Sequence, residues 1–273
     1  MKKQIFKKFI AMLITIFVIA STFAFSGCLG KDKAITHADE ILRAIELNDM
    51  GELRRLLADE EKTEKALKQE TSGNYVALNG GLWNWVPLSY AAKRGNVEAV
   101  KLLVEAGADV HQKTTYEMTP LFAAIDSRSL HKFEIANYLL DNGADIHMYA
   151  NGYIYKNESI LAYLLDKNGY FTTSKTLMQE GYEFFVRCVE MGAELEGVSD
   201  RGHLLLDACE RENNLPMVVY MIETLGCDVN MEIDGVTPLY IARNVSTSYD
   251  KSELIEYLLA QGAIDYEKEG VMI

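Results

Sequence analysis

The stretch that most constrains this chain is residues 86–111, where two short amphipathic segments are each closed by a glycine. Pro87 fixes the backbone angle of a first helical turn, and Leu88, Ala91 and Ala92 give that helix a narrow face of small residues. Gly95 ends it. Val97, Val100, Leu103 and Val104 then recur at helical spacing, and Gly107 supplies the left-handed residue that closes many helices. Neither helix is long enough to persist alone in water, and each has only one apolar face. Such a unit needs a neighbour stacked on either side, so the sequence should contain copies.

It does. The opening Val86-Pro87-Leu88 is followed by Thr119-Pro120-Leu121, Ser159-Ile160-Leu161, the poorer His203-Leu204-Leu205 and Thr237-Pro238-Leu239. The closing turn Gly107-Ala108-Asp109-Val110 is followed by Gly143-Ala144-Asp145-Ile146, Gly192-Ala193-Glu194-Leu195, Gly226-Cys227-Asp228-Val229 and Gly262-Ala263-Ile264-Asp265, with glycines 36, 49, 34 and 36 residues apart. This pattern resembles the ankyrin repeat, whose first helix opens Thr-Pro-Leu-His-x-Ala-Ala and whose period is about 33 residues. The longer spacings imply small insertions. The resemblance covers about two-thirds of the chain and implies an all-α ankyrin-repeat solenoid, with helix pairs linked by β-turn fingers. About six repeats are expected, at roughly residues 37–70, 80–111, 112–147, 148–196, 197–230 and 231–266. Such an array is one elongated body whose units touch only their neighbours, and a monomer is expected.

The N-terminus is a separate matter. Lys2, Lys3, Lys7 and Lys8 precede an apolar run over residues 9–25, then Ser26 and Gly27, which is the plan of a cleaved export signal. The run is shorter than the ~20 apolar residues a spanning helix needs and contains Thr15, Ser21 and Thr22. Ala24-Phe25-Ser26-Gly27-Cys28 resembles a bacterial lipobox, with Phe25 where leucine is usual. That resemblance implies cleavage of residues 1–27, acylation of Cys28, a tether over 28–36, and anchoring on the outer side of the cytoplasmic membrane. Cleavage after Ser26 and secretion is the alternative. Loss of residues 1–27 removes four lysines and no acid, taking the formal net charge from −13 to −17. A surface that acidic repels nucleic acid and anionic headgroups, so a neutral or basic protein partner is expected.

Within the array, Ile41, Leu42, Ala44 and Ile45, then Leu53, Leu56 and Leu57, predict a capping helix pair. The charged run 59–70 reads as a solvated extra helix with Glu61–Lys65 and Glu64–Lys68 pairs. The fourth repeat is expected to carry a loop over 166–170 and a second helix over 182–191, and Pro216 to open the second helix of the fifth. Cys188, Cys209 and Cys227 read as small buried hydrophobes, with a Cys188–Cys209 bridge left open.

No catalytic or metal constellation stands out. The five histidines are scattered, there is no His-Glu-x-x-His or Cys-x-x-Cys, and Asp166-Lys167-Asn168-Gly169 lacks the later carboxylates of a calcium loop. No cofactor, metal or enzymatic activity is expected. His111 and His147, where the repeat has asparagine, suit turn hydrogen bonds. In ankyrin proteins the fingers and first helices line a concave face, and the variable positions before Thr-Pro-Leu meet the partner. By that resemblance Trp83, Trp85, Tyr116, Tyr153 and Tyr155 are the partner-binding candidates, since exposed Trp and Tyr bury large area at small entropic cost. Packing of the two tryptophans over the 71–82 loop is the competing reading. Tyr90, Phe122 and Tyr163, on first helices, read as packing residues. The expected function is a membrane-tethered protein-binding module. The alternatives are an inhibitor or immunity-type protein that neutralises a basic toxin or enzyme, and a cell-wall or carbohydrate binder.

Overall fold

The computed structural model describes residues 36–68, 85–115, 117–149, 158–168, 174–196, 201–211, 214–245 and 250–265. Six helix pairs follow one another: α1 (His37–Glu46) with α2 (Met50–Leu57), α4 (Pro87–Arg94) with α5 (Val97–Glu105), α6 (Pro120–Ile125) with α7 (Lys132–Asp141), α8 (Ile160–Asn168) with α9 (Lys175–Glu190), α10 (Leu204–Ala208) with α11 (Leu215–Val219), and α12 (Pro238–Asn244) with α13 (Ser252–Ala260). An extra helix, α3 (Glu60–Lys68), follows the first pair. First helices stack on first helices, and α2, α5, α7, α9 and α11 stack as a second layer. The result is the all-α solenoid the repeats require, with one hydrophobic cluster running from Ala38 to Ala263.

The helix ends follow from the sequence. Thr36 and Asp39 form a reciprocal capping box at α1, and the Asp49 and Asn96 side chains accept from the backbone N–H groups of Glu52 and Ala99. The glycines that close the second helices, Gly107, Gly143, Gly192, Gly226 and Gly262, have φ between +73° and +96°. In four of these turns the residue after the glycine donates its backbone N–H to the carbonyl five positions back, as Ala108 does to Leu103. In the fifth repeat Cys227 donates to Met221, six positions back. One extra residue has entered that helix, and the turn Tyr220–Thr224 absorbs it as a π-helix.

Several expectations need correction. Helix α3 is amphipathic rather than fully solvated: Thr63, Ala66 and Leu67 are buried, and Thr63 Oγ1 donates to Leu56 O at 3.2 Å. Its outer face carries the Glu61–Lys65 and Glu64–Lys68 pairs as read from their spacing. Residues 166–168 are not loop but the end of α8, and the second helix of the fourth repeat starts at Lys175, seven residues before the predicted 182. Ser174 caps it by accepting from Leu177 N. Cys188 and Cys209 are buried free thiols with no bridge between them, and Cys227 is half-buried rather than enclosed. Burial pushes the Cys188 thiol up to about 12 and raises that of Cys209 as well, which keeps both protonated and inert.

Candidate binding face

The candidate face is built from the first helices and the segments that lead into them. Each leading residue stands at the N-cap of its helix, and in the five repeats that share this opening four of them cap it with a side chain. Thr119, Ser159 and Thr237 accept from the backbone N–H of Phe122, Ala162 and Tyr240. His203 stands in the same place and accepts from Leu205 N through Nδ1 at 3.0 Å, which requires that nitrogen to be unprotonated. Burial holds the His203 imidazole below its usual range, in keeping with that neutral state. Val86 provides no side-chain cap, and among the described residues the neighbouring Ser89 hydroxyl is buried with no hydrogen-bond partner.

Ion pairs then join first helix to first helix. Glu46 at the end of α1 accepts from the Tyr90 hydroxyl and lies 3.4 Å from Arg94 Nε. Lys93 pairs with Asp126 and also donates to its carbonyl at 2.6 Å. Arg211 reaches back to Asp166 at 3.2 Å, and Asn214 donates to Leu165 O. Fingers are linked as well: His111 Nε2 meets Gly143 O at 2.9 Å, while Asn230 donates to Gly262 O and accepts from Ile264 N. The His111 and His147 backbone N–H groups each donate to the aspartate two places earlier, so both positions take part in turn hydrogen bonds.

Of the sequence-derived binding candidates, Trp85 lies among the described residues; Trp83, Tyr116, Tyr153 and Tyr155, and the lipidation candidate Cys28, lie outside them. Trp85 is half-buried. Its ring meets that of Tyr90 edge-on, with centroids 6.0 Å apart, and packs against the core while leaving part of its surface in solvent. Packing over the 71–82 loop concerns residues outside those described; what the described residues show is that Trp85 is packed on one side by Tyr90 and the core and partly solvent-facing on the other. Tyr90, Phe122 and Tyr163 are buried, the last two in an edge-on pair at 5.4 Å, as expected of first-helix packing residues.

Two exposed aromatic residues were missed. Tyr149, 36% exposed, starts the fourth finger, and Tyr240, 45% exposed, is on α12. Tyr240 occupies the place at which Phe122 is buried. The difference is position in the array: Phe122 is covered by Tyr163 of the following repeat, whereas no described helix pair follows α12. The signal was present in the fact that Tyr240 belongs to the last recognisable copy.

Between α8 and α10 lies a cleft of about 380 Å³ walled by Glu158, Asp166, Asp207 and Glu210 together with Arg201 and Arg211. Arg201 lies 3.0 Å from Glu210 and 3.6 Å from Asp207, and Arg211 pairs with Asp166 across it, so ion pairs within the cleft link the fourth and fifth repeats while its lining keeps an excess of acid. Among the described residues no cluster of His, Cys, Asp and Glu has metal-binding geometry, and no helix is long and apolar enough to cross a membrane.

Comparison with known proteins agrees with this architecture. Residues 42–150 match the family model for ankyrin repeats (3 copies). Fifty-eight residues, 21% of the chain, are 45% identical to protein phosphatase 1 regulatory subunit 27 of Homo sapiens, and the same holds for that of Mus musculus. The chain spans 36% of the length of these relatives. Ankyrin repeats are thus present over residues 42–150, within a chain that folds as an all-α ankyrin solenoid.

Proposed function

We propose that the protein is a non-catalytic interaction module that holds a protein partner on its finger and first-helix face, and that a lipid on Cys28 tethers it to the outer side of a bacterial cytoplasmic membrane. The observation that carries the binding reading is the fixed placement of Trp85. Its ring is seated on Tyr90, whose hydroxyl is held by Glu46 of the preceding repeat, so the exposed part of the indole is presented with little freedom left to lose on binding. Ankyrin repeats generally serve protein–protein interaction, and the similarity to a phosphatase regulatory subunit points the same way, to an adaptor rather than an enzyme. The tether rests on the sequence of residues 1–28: a basic start, an apolar run and the lipobox-like residues 24–28.

A second reading, that of an inhibitor neutralising a basic toxin or enzyme, is favoured by the charge. Asp109, Asp145, Glu194 and Asp228 repeat along the finger side, all exposed, on a mature chain of net −17. Salt separates the two. An anchor-driven complex keeps its affinity between 0.05 and 0.5 M salt, whereas a charge-steered one weakens steeply over that range. Trp85→Ala, shown by circular dichroism to be folded, should cost about 2 kcal/mol of binding, roughly thirtyfold in Kd. An unchanged Kd together with strong salt dependence would move the function to the acidic side.

A further inference from the structure

The edge opposite the fingers, where first and second helices join, carries a feature the binding face does not explain. Leu47, in the turn after α1, and Leu130, in the turn before α7, are the two most exposed large hydrophobic residues among those described, at 62% and 68%. Isolated exposed leucines are ordinary, but these two share one edge. Asn96 in the turn of the second pair donates to Asn48 Oδ1 at 2.9 Å, and Gly95 in that same turn lies so close to Ser129 that a Cβ there would overlap it. Three consecutive turns therefore touch, with Leu47 next to the first contact and Leu130 next to the last. Between them runs an open groove of about 550 Å³, lined by Ile45, Asn48, Arg94, Asn96, His131 and Glu134.

We propose that this edge rests on the surface of a lipid bilayer, with Leu47 and Leu130 entering the interface. The inference rests on the reading of Cys28 as the lipid anchor. Charge favours it: on this edge Glu46 pairs with Arg94, Asp126 with Lys93 and Glu134 with Lys101, so these carboxylates are each matched by a cation although the molecule carries a net −17, which lowers their repulsion from a membrane surface. Reach permits it. From Cys28 to Thr36 is eight residues, which span at most about 27 Å. Helix α1 carries the chain from Thr36 to the Leu47 turn over about 15 Å. A lipid beneath the turn edge can therefore still connect to Thr36 at the far end of the repeat. Two leucines would not hold a free protein on a membrane, but a tethered chain meets the surface at an effective concentration near the millimolar range, where weak contacts suffice to set orientation. The edge then faces the lipid, and the fingers face away from it.

The test uses the full mature chain, acylated on Cys28 and carried on phosphatidylcholine vesicles. Cys227→Ala removes the one half-buried thiol, and a bimane label is placed through His131→Cys, beside Leu130, or through Thr115→Cys on a finger. Lipid-borne doxyl groups should quench the label at 131 several-fold more than at 115, and Leu47→Glu with Leu130→Glu should abolish the difference while the protein stays on the vesicles. Equal, weak quenching at both positions in a protein that floats with the vesicles would overturn the edge contact alone. Absence of the acyl mass on Cys28 in protein recovered from cells would overturn the anchor and this inference together.

Discussion

His203 shows how one side chain carries a repeat opening by different chemistry from its neighbours. Its Nδ1 accepts a helix N–H only while the ring is neutral, and burial lowers its tendency to protonate. The unfolded chain, with a histidine near 6.5, takes up its proton first as pH falls, so the cap's contribution is complete above that value and is lost as pH drops through it toward the lower folded value. Chemical denaturation from pH 7.5 to 5 should show a fall in stability that His203→Thr, which caps by a hydroxyl, removes. Lys132 is shifted in the same direction, but as a buried cation unpaired among the described residues it penalises the fold rather than supporting it. It is 1% exposed and makes no hydrogen bond or ion pair among the described residues; its ammonium sits 5.0 Å from the centre of the Phe133 ring. Burial lowers its pKa, partly offset by Asp126, so the charged form penalises the fold at neutral pH. The native state sheds that proton before the unfolded chain does, and stability should rise with pH below about 10.5. Lys132→Met should stabilise by about 1 kcal/mol or more at pH 7 and flatten that rise. At Val86 the missing cap invites the reverse experiment: Val86→Thr adds an acceptor at the start of α4 beside the unsatisfied Ser89 hydroxyl, and should add about 1 kcal/mol. The first-helix positions were legible in sequence because Pro and Leu mark them. The His203 cap was not, since a ring nitrogen accepts only in one tautomer and rotamer, neither of which is written in residue order.

At the scale of the element, helix ends and apolar stripes follow the sequence closely, and the misses come from residues that lack punctuation. Nothing in residues 59–70 except Thr63, Ala66 and Leu67 marks the buried face of α3, and three small or isolated apolar positions in a charged run give a weak period. The extension of α9 back to Lys175 went unread because its first turns carry few apolar residues. The π-turn at Tyr220–Thr224 was present in sequence only as an offset, five residues from Met221 to Gly226 where the other copies have four, as from Leu103 to Gly107. That offset is testable. Deleting exposed Thr224 should leave an ordinary α-helical end and stability at least equal to the parent, by urea denaturation, whereas deleting Glu105 from the regular α5 should destabilise sharply by shifting the Gly107 turn. Gly95 is the converse case. With φ at +70° and Ser129 against it, Gly95→Ala pays both the left-handed penalty of about 1–2 kcal/mol and a clash between repeats.

For the whole molecule, the consequence of stacking is that stability and presentation are shared along the array while binding is local. Leu103, fully buried in α5, should cost about 2–5 kcal/mol on truncation to alanine and weaken every ligand together. Truncation of an exposed finger aromatic should spare stability and remove one partner. The glycine-turn spacings made the architecture readable from sequence, because each repeat has to bury the same two faces. The proposed binding face was readable only as a set of positions, and the packing of its one described member was not, since how far Trp85 is buried depends on Tyr90 beneath it and on Glu46 from another repeat. The most direct measurement is a crosslinked capture from intact cells with three folded proteins: the native chain, Trp83→Ala/Trp85→Ala, and Leu47→Glu/Leu130→Glu. The account predicts one protein partner captured by the native chain and by the turn-edge variant but lost from the tryptophan variant. Capture of that partner undiminished by the tryptophan variant would contradict it.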